Sequence, residues 1–208
     1  MRISRSSRED AQARWRIGEN VPWSVSWTGE NAFDLRPSRD FPGLTDLVQE
    51  QKPGVGAPVF GFVHVTRQRL GMVGHLCHVC GRPTPTRDRY LFPVESGGFV
   101  TLADGEARYG GNVPPVHLDC ARKARRLCPH LSGSLAEPVA FPGDEGRLVQ
   151  RTDVVPGMEA LAKTLPAGLE IVFSCYRLFG ADFTRLVERL RRERETTAPA
   201  AVALRHAP

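Results

Sequence analysis

The chain has 208 residues, 41% of them hydrophobic and 25% charged, with a net charge of +5 and an isoelectric point near 9.2. That length supports one medium domain, with at most a small satellite, and the composition is that of a soluble globular protein. No apolar stretch approaches the ~20 residues of a membrane span. The basic start, Met1 to Arg8, lacks the apolar segment of an export signal, so a cytoplasmic protein is expected. Of the 28 basic residues only Lys52, Lys123 and Lys163 are lysine. Arginine's planar fork suits phosphate, but the accompanying wealth of Ala, Pro and Gly makes codon bias the simpler source.

Residues 1–18 form a flexible, basic N-terminal tail, with room for a short helix over 8–16. Val21 to Trp27 alternates apolar and polar residues, as a half-buried strand does, and Asn31 to Leu35 is placed to pair with it across Thr28-Gly29-Glu30. Residues 37–58 are rich in Pro and Gly and read as loop, with a short helix over Leu44 to Gln51. Val59 to Val65 is a strand, and Arg67 to Leu76 a helix leading into Cys77. Tyr90–Val94 and Gly98–Leu102 read as a hairpin, followed by a glycine-rich excursion over Ala103 to Val113. Pro114-Pro115 then opens a helix from Val116 to Leu127, which Pro129 stops. A strand near Leu148, a short helix over Gly157 to Leu165 and an apolar strand from Leu169 to Tyr176 follow. Asp182 to Arg194 is an amphipathic helix with Phe183, Leu186, Val187 and Leu190 on one face. Residues 196–208 read as a disordered tail.

The chemistry concentrates in Cys77-His78-Val79-Cys80-Gly81, answered by His117-Leu118-Asp119-Cys120. Two thiolates separated by two residues close on one ion through a tight turn, and Gly81 tolerates the positive φ such a turn needs. In a helix over 116–127, His117 and Cys120 share a face of the first turn, where the positive helix end favours thiolate. A turn supplying one pair and a helix start supplying the other is the treble-clef arrangement. Cys77, Cys80, His117 and Cys120 are therefore the expected ligands of a structural zinc. Cys128 lies ~12 Å further along a straight helix, too far for one ion; it or His130 replaces His117 only if the helix breaks early. Cysteines 77, 80, 120 and 128 together leave an iron–sulfur cluster as the other metal option. Cys175, His64 and His75 read as core or surface residues.

These spacings, with Pro114-Pro115 before His117 and Cys128-Pro129-His130-Leu131 after it, resemble an uncharacterised family of actinobacterial and phage-borne zinc-binding proteins with the pattern CxxCG…PPxHxxCA…CPxL. The segment Phe60 to Arg69 is also similar to the lead-in of that group. The resemblance covers about 75 residues, from Gly56 to Leu131. It implies the same four ligands and no activity.

A closed set of three Cys and one His leaves no open position for substrate, which favours structural over catalytic metal. The deaminase signature is missing, as are the nucleophile elbow, the phosphate loop and the dinucleotide fingerprint. A His-metal nuclease would have to use His78 with Asp104 or Asp119. Around the expected zinc, Arg82, Arg87, Arg89, Arg122, Lys123, Arg125 and Arg126, joined by Arg67 and Arg69, compose a candidate phosphate-contact surface. Aromatics among them are sparse, which disfavours stacking on single strands. The arginines of the last helix alternate with Glu188, Glu193 and Glu195 as on a solvated face.

The reading is an α+β fold: a treble-clef-like zinc-binding core with short strands, a C-terminal strand and an amphipathic helix. One domain spans 19–195, its zinc module about 60–131. Its expected role is a zinc-stabilised binding or regulatory module with nucleic acid or a protein as partner and no membrane. The alternative is an enzyme, a metal-dependent nuclease or small-molecule pathway enzyme, in which the zinc is structural. A protein-interaction surface at Trp15, Trp23 and Trp27 is a third option.

Overall fold

In the computed structural model, residues 15–94, 96–128, 131 and 137–203 are described, with side chains to residue 196. They form an α+β arrangement of small sheets and four helices: β1 (Val25–Trp27), β2 (Phe33–Pro37), β3 (Thr45–Gln49), β4 (Pro58–Val63), α1 (Val65–Gly74), β5 (Tyr90–Leu91), β6 (Gly98–Thr101), β7 (Ala107–Gly111), α2 (Leu118–Leu127), β8 (Val139–Ala140), β9 (Arg147–Arg151), α3 (Glu159–Ala162), β10 (Ile171–Val172), β11 (Ser174–Leu178) and α4 (Ala181–Ala203). The sheets are β1-β4, β10-β3-β2, β6-β7-β11-β9 and β5-β8. None of the helices among the described residues is long and apolar enough to cross a membrane.

Several pairings differ from the sequence expectation. Asn31–Leu35 does not pair with the strand before it. The Glu30 carboxylate folds back onto the Trp27 N–H at 2.8 Å, turning the chain away, so β2 pairs with β3 and β1 with β4. The segment 44–51 is strand rather than helix, because Leu47 is fully buried between β2 on one side and parallel β10 on the other; cross-strand packing overrides its helical spacing. The expected 90–102 hairpin is split. Tyr90 and Leu91 pair with Val139 and Ala140, and β6 pairs instead with β7, which lies in the supposed excursion. Tyr109 anchors that glycine-rich strand, its ring buried and stacked on Phe179 at 5.8 Å. The apolar strand 169–176 divides at Phe173, so its first half joins β3 and its second half β7 and β9. Helix α4 continues past Arg194 to Ala203. The N-terminal residues 1–14 and the end of the chain from 204 lie outside the described residues.

Apolar burial is divided into separate clusters, the largest around Leu47, Val65, Met158, Ile171 and Phe173, another around Tyr109, Phe179, Phe183 and Val187. Helix α1 crosses between them with an inverted surface: Arg67, Gln68 and Arg69 are buried while Leu70 and Val73 are exposed. Gln68 reaches from α1 to the carbonyls of Asn112 at 2.9 Å and Cys175 at 2.6 Å, tying the helix to the four-stranded sheet. Its N-cap is His64, whose Nδ1 accepts from the Arg67 N–H, and it ends at His75 in the left-handed region. One residue further on begins the approach to Cys77.

Candidate metal centre

The turn after α1 is built by backbone bonds: Cys77 N–H donates to Arg82 O at 2.7 Å, and Gly81 N–H to Cys77 O at 2.8 Å. Gly81 has φ +73, and a Cβ there would lie 2.7 Å from the Trp23 ring; both the turn and the indole above it require glycine. The facing element enters through a short bridge, Tyr90 and Val116 exchanging bonds at 2.8 Å each. His117 is the N-cap of α2 and Cys120 sits in its first turn. His117 makes no side-chain cap; Asp88 takes that place, accepting from the Leu118 N–H at 2.8 Å. His117 is thereby left for another partner.

Cys77, Cys80, His117 and Cys120 converge, their donor atoms all within 4.8 Å of one another. His117 Nδ1 is 3.5 Å from Cys80 Sγ and 3.8 Å from Cys120 Sγ. A tetrahedral ion with bonds of about 2.3 Å to sulfur and 2.0–2.1 Å to nitrogen has S···N edges of about 3.6 Å, so the donors already stand at metal-binding separations. His117 Nε2 donates to Pro83 O at 3.0 Å. That bond fixes the tautomer whose free Nδ1 lone pair faces the sulfurs, the second-shell contact typical of metal-bound imidazole. Cys77 is fully buried, the other three partly so, beside the small apolar cluster of Val79, Val116 and Ala121.

The thiols would not all ionise unaided. Burial pushes Cys77 up. Burial, then repulsion from the Cys77 and Cys80 thiolates, pushes Cys120 far up. Burial also opposes ionisation of Cys80, but bonds from the Arg82 backbone and guanidinium outweigh it and bring that thiol down to about 7. Three crowded sulfurs, all outside disulfides, gain a common thiolate state only if a cation neutralises them. The donor set therefore fits a metal ion, and softness favours one that accepts thiolate.

Other expected ligands lie elsewhere. Cys128 caps the far end of α2, outside the four-donor group, and His130 lies outside the described residues. His78 turns away from the cluster, its Nδ1 sharing a short hydrogen bond with Ser24 Oγ. Asp104 accepts from the Glu106 N–H within the β6–β7 turn, and exposed Asp119 pairs with Arg122 at 3.1 Å. Among the described residues no second group of three metal-capable side chains converges.

The candidate phosphate contacts divide sharply. Arg82, Arg87, Arg122 and Arg126 are exposed. Lys123 donates to Gly18 O at 3.2 Å, and Arg125 pairs with Glu137. Arg89 is buried, bonded to Thr84 and Glu145. Arg67 and Arg69 are also internal, paired with Glu30 and Asp46. Of the tryptophans, Trp27 is buried and Trp15 and Trp23 half-buried.

Two buried polar systems escaped the sequence reading. In one, Glu30 receives two bonds from Arg67 at 2.6 and 2.7 Å, beside His64 and Gln49. Burial alone would raise the Glu30 carboxyl; the Arg67 fork and the Trp27 N–H reverse that and hold it below its ordinary value. The other gathers Arg89, Arg177, His75 and Glu145. Only the polar run from His64 to Arg69, inside a segment of helical length, hinted at the first.

Comparison with family models, with curated proteins and with solved structures gives no match.

Proposed function

We propose that the four-residue cluster binds zinc as a structural centre, and that the protein is a cytoplasmic binding or regulatory module held in shape by that ion. The observation that carries this reading is the closed donor set: three sulfurs and a tautomer-fixed imidazole converge within 4.8 Å with no carboxylate among them. Such a set supplies folding free energy and leaves no position for substrate. The turn bearing Cys77 and Cys80, facing the first turn of α2, supports a treble-clef-like arrangement. Its spacing also supports kinship with the CxxCG…PPxHxxCA…CPxL family. Free thiolates with no disulfide suit a reducing compartment.

The partner class we favour is nucleic acid, contacted through its phosphates. Exposed Arg82, Arg87, Arg122 and Arg126 flank the centre on the turn and on α2, a fixed spacing of cations that suits backbone contact more than base readout. Metal analysis of purified protein tests the first part: one zinc per chain is expected, and a metal-free, fully folded protein refutes it. Fluorescence anisotropy with labelled duplex and single-stranded DNA and RNA over a salt series tests the second. Binding that weakens steeply with salt and falls in Arg122→Ala/Arg126→Ala is expected. No binding at low salt moves the role to a protein partner.

A further inference from the structure

We propose that the pocket beneath the 142–146 loop is a binding site for an organic or inorganic anion, carboxylate or phosphate, which Glu145 occupies as an internal latch. Two guanidinium groups meet there, Arg89 just before β5 and Arg177 in β11, each only 8% exposed. They face a single carboxylate. Glu145 pairs with Arg89, whereas Arg177 has no carboxylate within 4.0 Å among the described residues. It is held instead by carbonyls, Glu145 O at 3.0 Å, Gly146 O at 3.2 Å and Met72 O at 2.7 Å. Both guanidiniums lie near the ring of Phe141, at 5.6 and 5.9 Å. A buried cation without its own counter-ion is costly, and a bound anion would remove that imbalance.

The latch is strained where it holds. Glu145 and His75 are the described non-glycine residues with positive φ, +53 and +49, and they face each other, His75 Nε2 lying 3.8 Å from Glu145 Oε2. That nitrogen is buried without a hydrogen-bond partner. Left-handed backbone at a non-glycine residue costs of order 1 kcal/mol and persists where surrounding contacts impose it. Here the imposing contact is the carboxylate on Arg89.

The loop also separates two spaces. Inside lies a hollow of about 10 Å³, room for about one water, lined by Arg177, Phe141 and Phe179. Outside lies an open groove of about 460 Å³ lined by Arg108, Arg147, Leu178 and Phe179, with Asp144 and Gly146 on its loop side. Phe179 borders both. Gly146, at φ +63, rests on the strand end so closely that a Cβ would lie 2.8 Å from Leu178 O. Lifting residues 144–146 would join the spaces and present both arginines to an anionic head, with the apolar groove wall beside it. In the latched state a ligand must displace Glu145, so its apparent affinity is reduced by the open fraction.

The test is the full-length, metal-loaded chain with Glu145→Gly, a substitution that relieves the positive φ and removes the internal anion. Inorganic phosphate and benzoate are titrated separately at constant ionic strength, followed by the Arg Nε–Hε resonances and by thermal unfolding. Expected is a saturable shift of the Arg89 and Arg177 resonances, with at least tenfold tighter binding than in the unsubstituted chain. Which of the two ions binds assigns the head group. If Glu145→Gly does not fold, Glu145→Gln is titrated in its place. Folded variants whose arginine resonances respond to neither ion refute the site. Failure of both variants to fold also refutes it, because Glu145 is then part of the framework and not a displaceable latch. Metal content is independent of this result, so neither outcome bears on the zinc reading.

Discussion

Replacing Arg67 with Met would strand the Glu30 carboxylate in the interior. Glu30 and Arg67 side chains are 0% and 1% exposed, and Arg67 donates to both Glu30 oxygens and to Val25 O at 2.8 Å. After the substitution Glu30 keeps only the N–H groups of Trp27 and Lys52. Breaking one partner of a buried pair costs about 3–5 kcal/mol, a large share of a typical total of about 5–15 kcal/mol. For a chain of this size each kcal/mol is worth about 2–4 °C, so a fall of about 10 °C in Tm is expected. Glu30→Gln/Arg67→Met removes both charges and should recover about half of that loss. Urea unfolding of the metal-loaded single and double variants completes the cycle. A loss below about 1 kcal/mol for Arg67→Met, or strict additivity in the double variant, would refute the reasoning, because contacting charges must couple.

Cys120→Ser should lose stoichiometric zinc and the protection of α2 amides from hydrogen exchange; retention of both after chelation would count against a structural ion. Gly81→Ala places a Cβ 2.7 Å from the Trp23 ring at φ +73, so metal affinity should fall by about tenfold with a change in Trp fluorescence, and an unchanged affinity would show the turn to be pliable. Asp88→Ala removes the cap on Leu118 N–H and should cost about 1 kcal/mol, read as a lower midpoint in urea. For pH, burial lowers His64 from its ordinary 6.5. Its folded value lies below its unfolded one, so its contribution is complete above pH 6.5 and is lost as pH falls toward the folded value. Glu30 acts in the same sense below about 4.5. Tm measured from pH 7.5 to 5 should therefore slope downward with acid, and His64→Gln should flatten that slope; equal slopes would remove His64 as its source.

The metal site was legible because its signal is local. Two-residue gaps and a Pro-Pro-opened helix fix which side chains share a turn, and the fold only had to bring two such units together. The arginines were not legible for the opposite reason. Arg67, Arg69 and Arg89 look like surface cations in any short window, and only Glu30, Asp46 and Glu145, each many residues away, decide that they are buried. Strand pairing failed at 31–35 because Glu30 caps its own turn, and at 98–113 because a single aromatic, Tyr109, outweighs four neighbouring glycine and polar residues in drawing the segment inward. Phe173 is the plainest case: continuous hydrophobicity cannot say that one strand serves two sheets.

Division into small sheets explains why charged and metal-bound side chains recur at the seams. A two-stranded ribbon such as β1-β4 or β5-β8 is marginal alone, and its apolar cluster is too small to hold it. Arg67 joins the β1 turn to α1; Arg177 joins β11 to the end of α1 and to the 142–146 loop; the four-donor cluster joins the turn after α1 to α2. All three meet on α1 or the residues directly after it. Helix α1 is thus a shared strut, and its buried polar face follows from that position: each neighbour is reached by a long, directional side chain and not by a hydrophobic stripe. It follows that metal loss should loosen residues 77–128 first, while the Leu47 cluster, linked to α1 through Arg69 and Gln49, keeps its exchange protection. If the Leu47 cluster lost protection at the same chelator concentration as α2, the seams would act as one unit and the strut would be transmitting, not isolating, the loss.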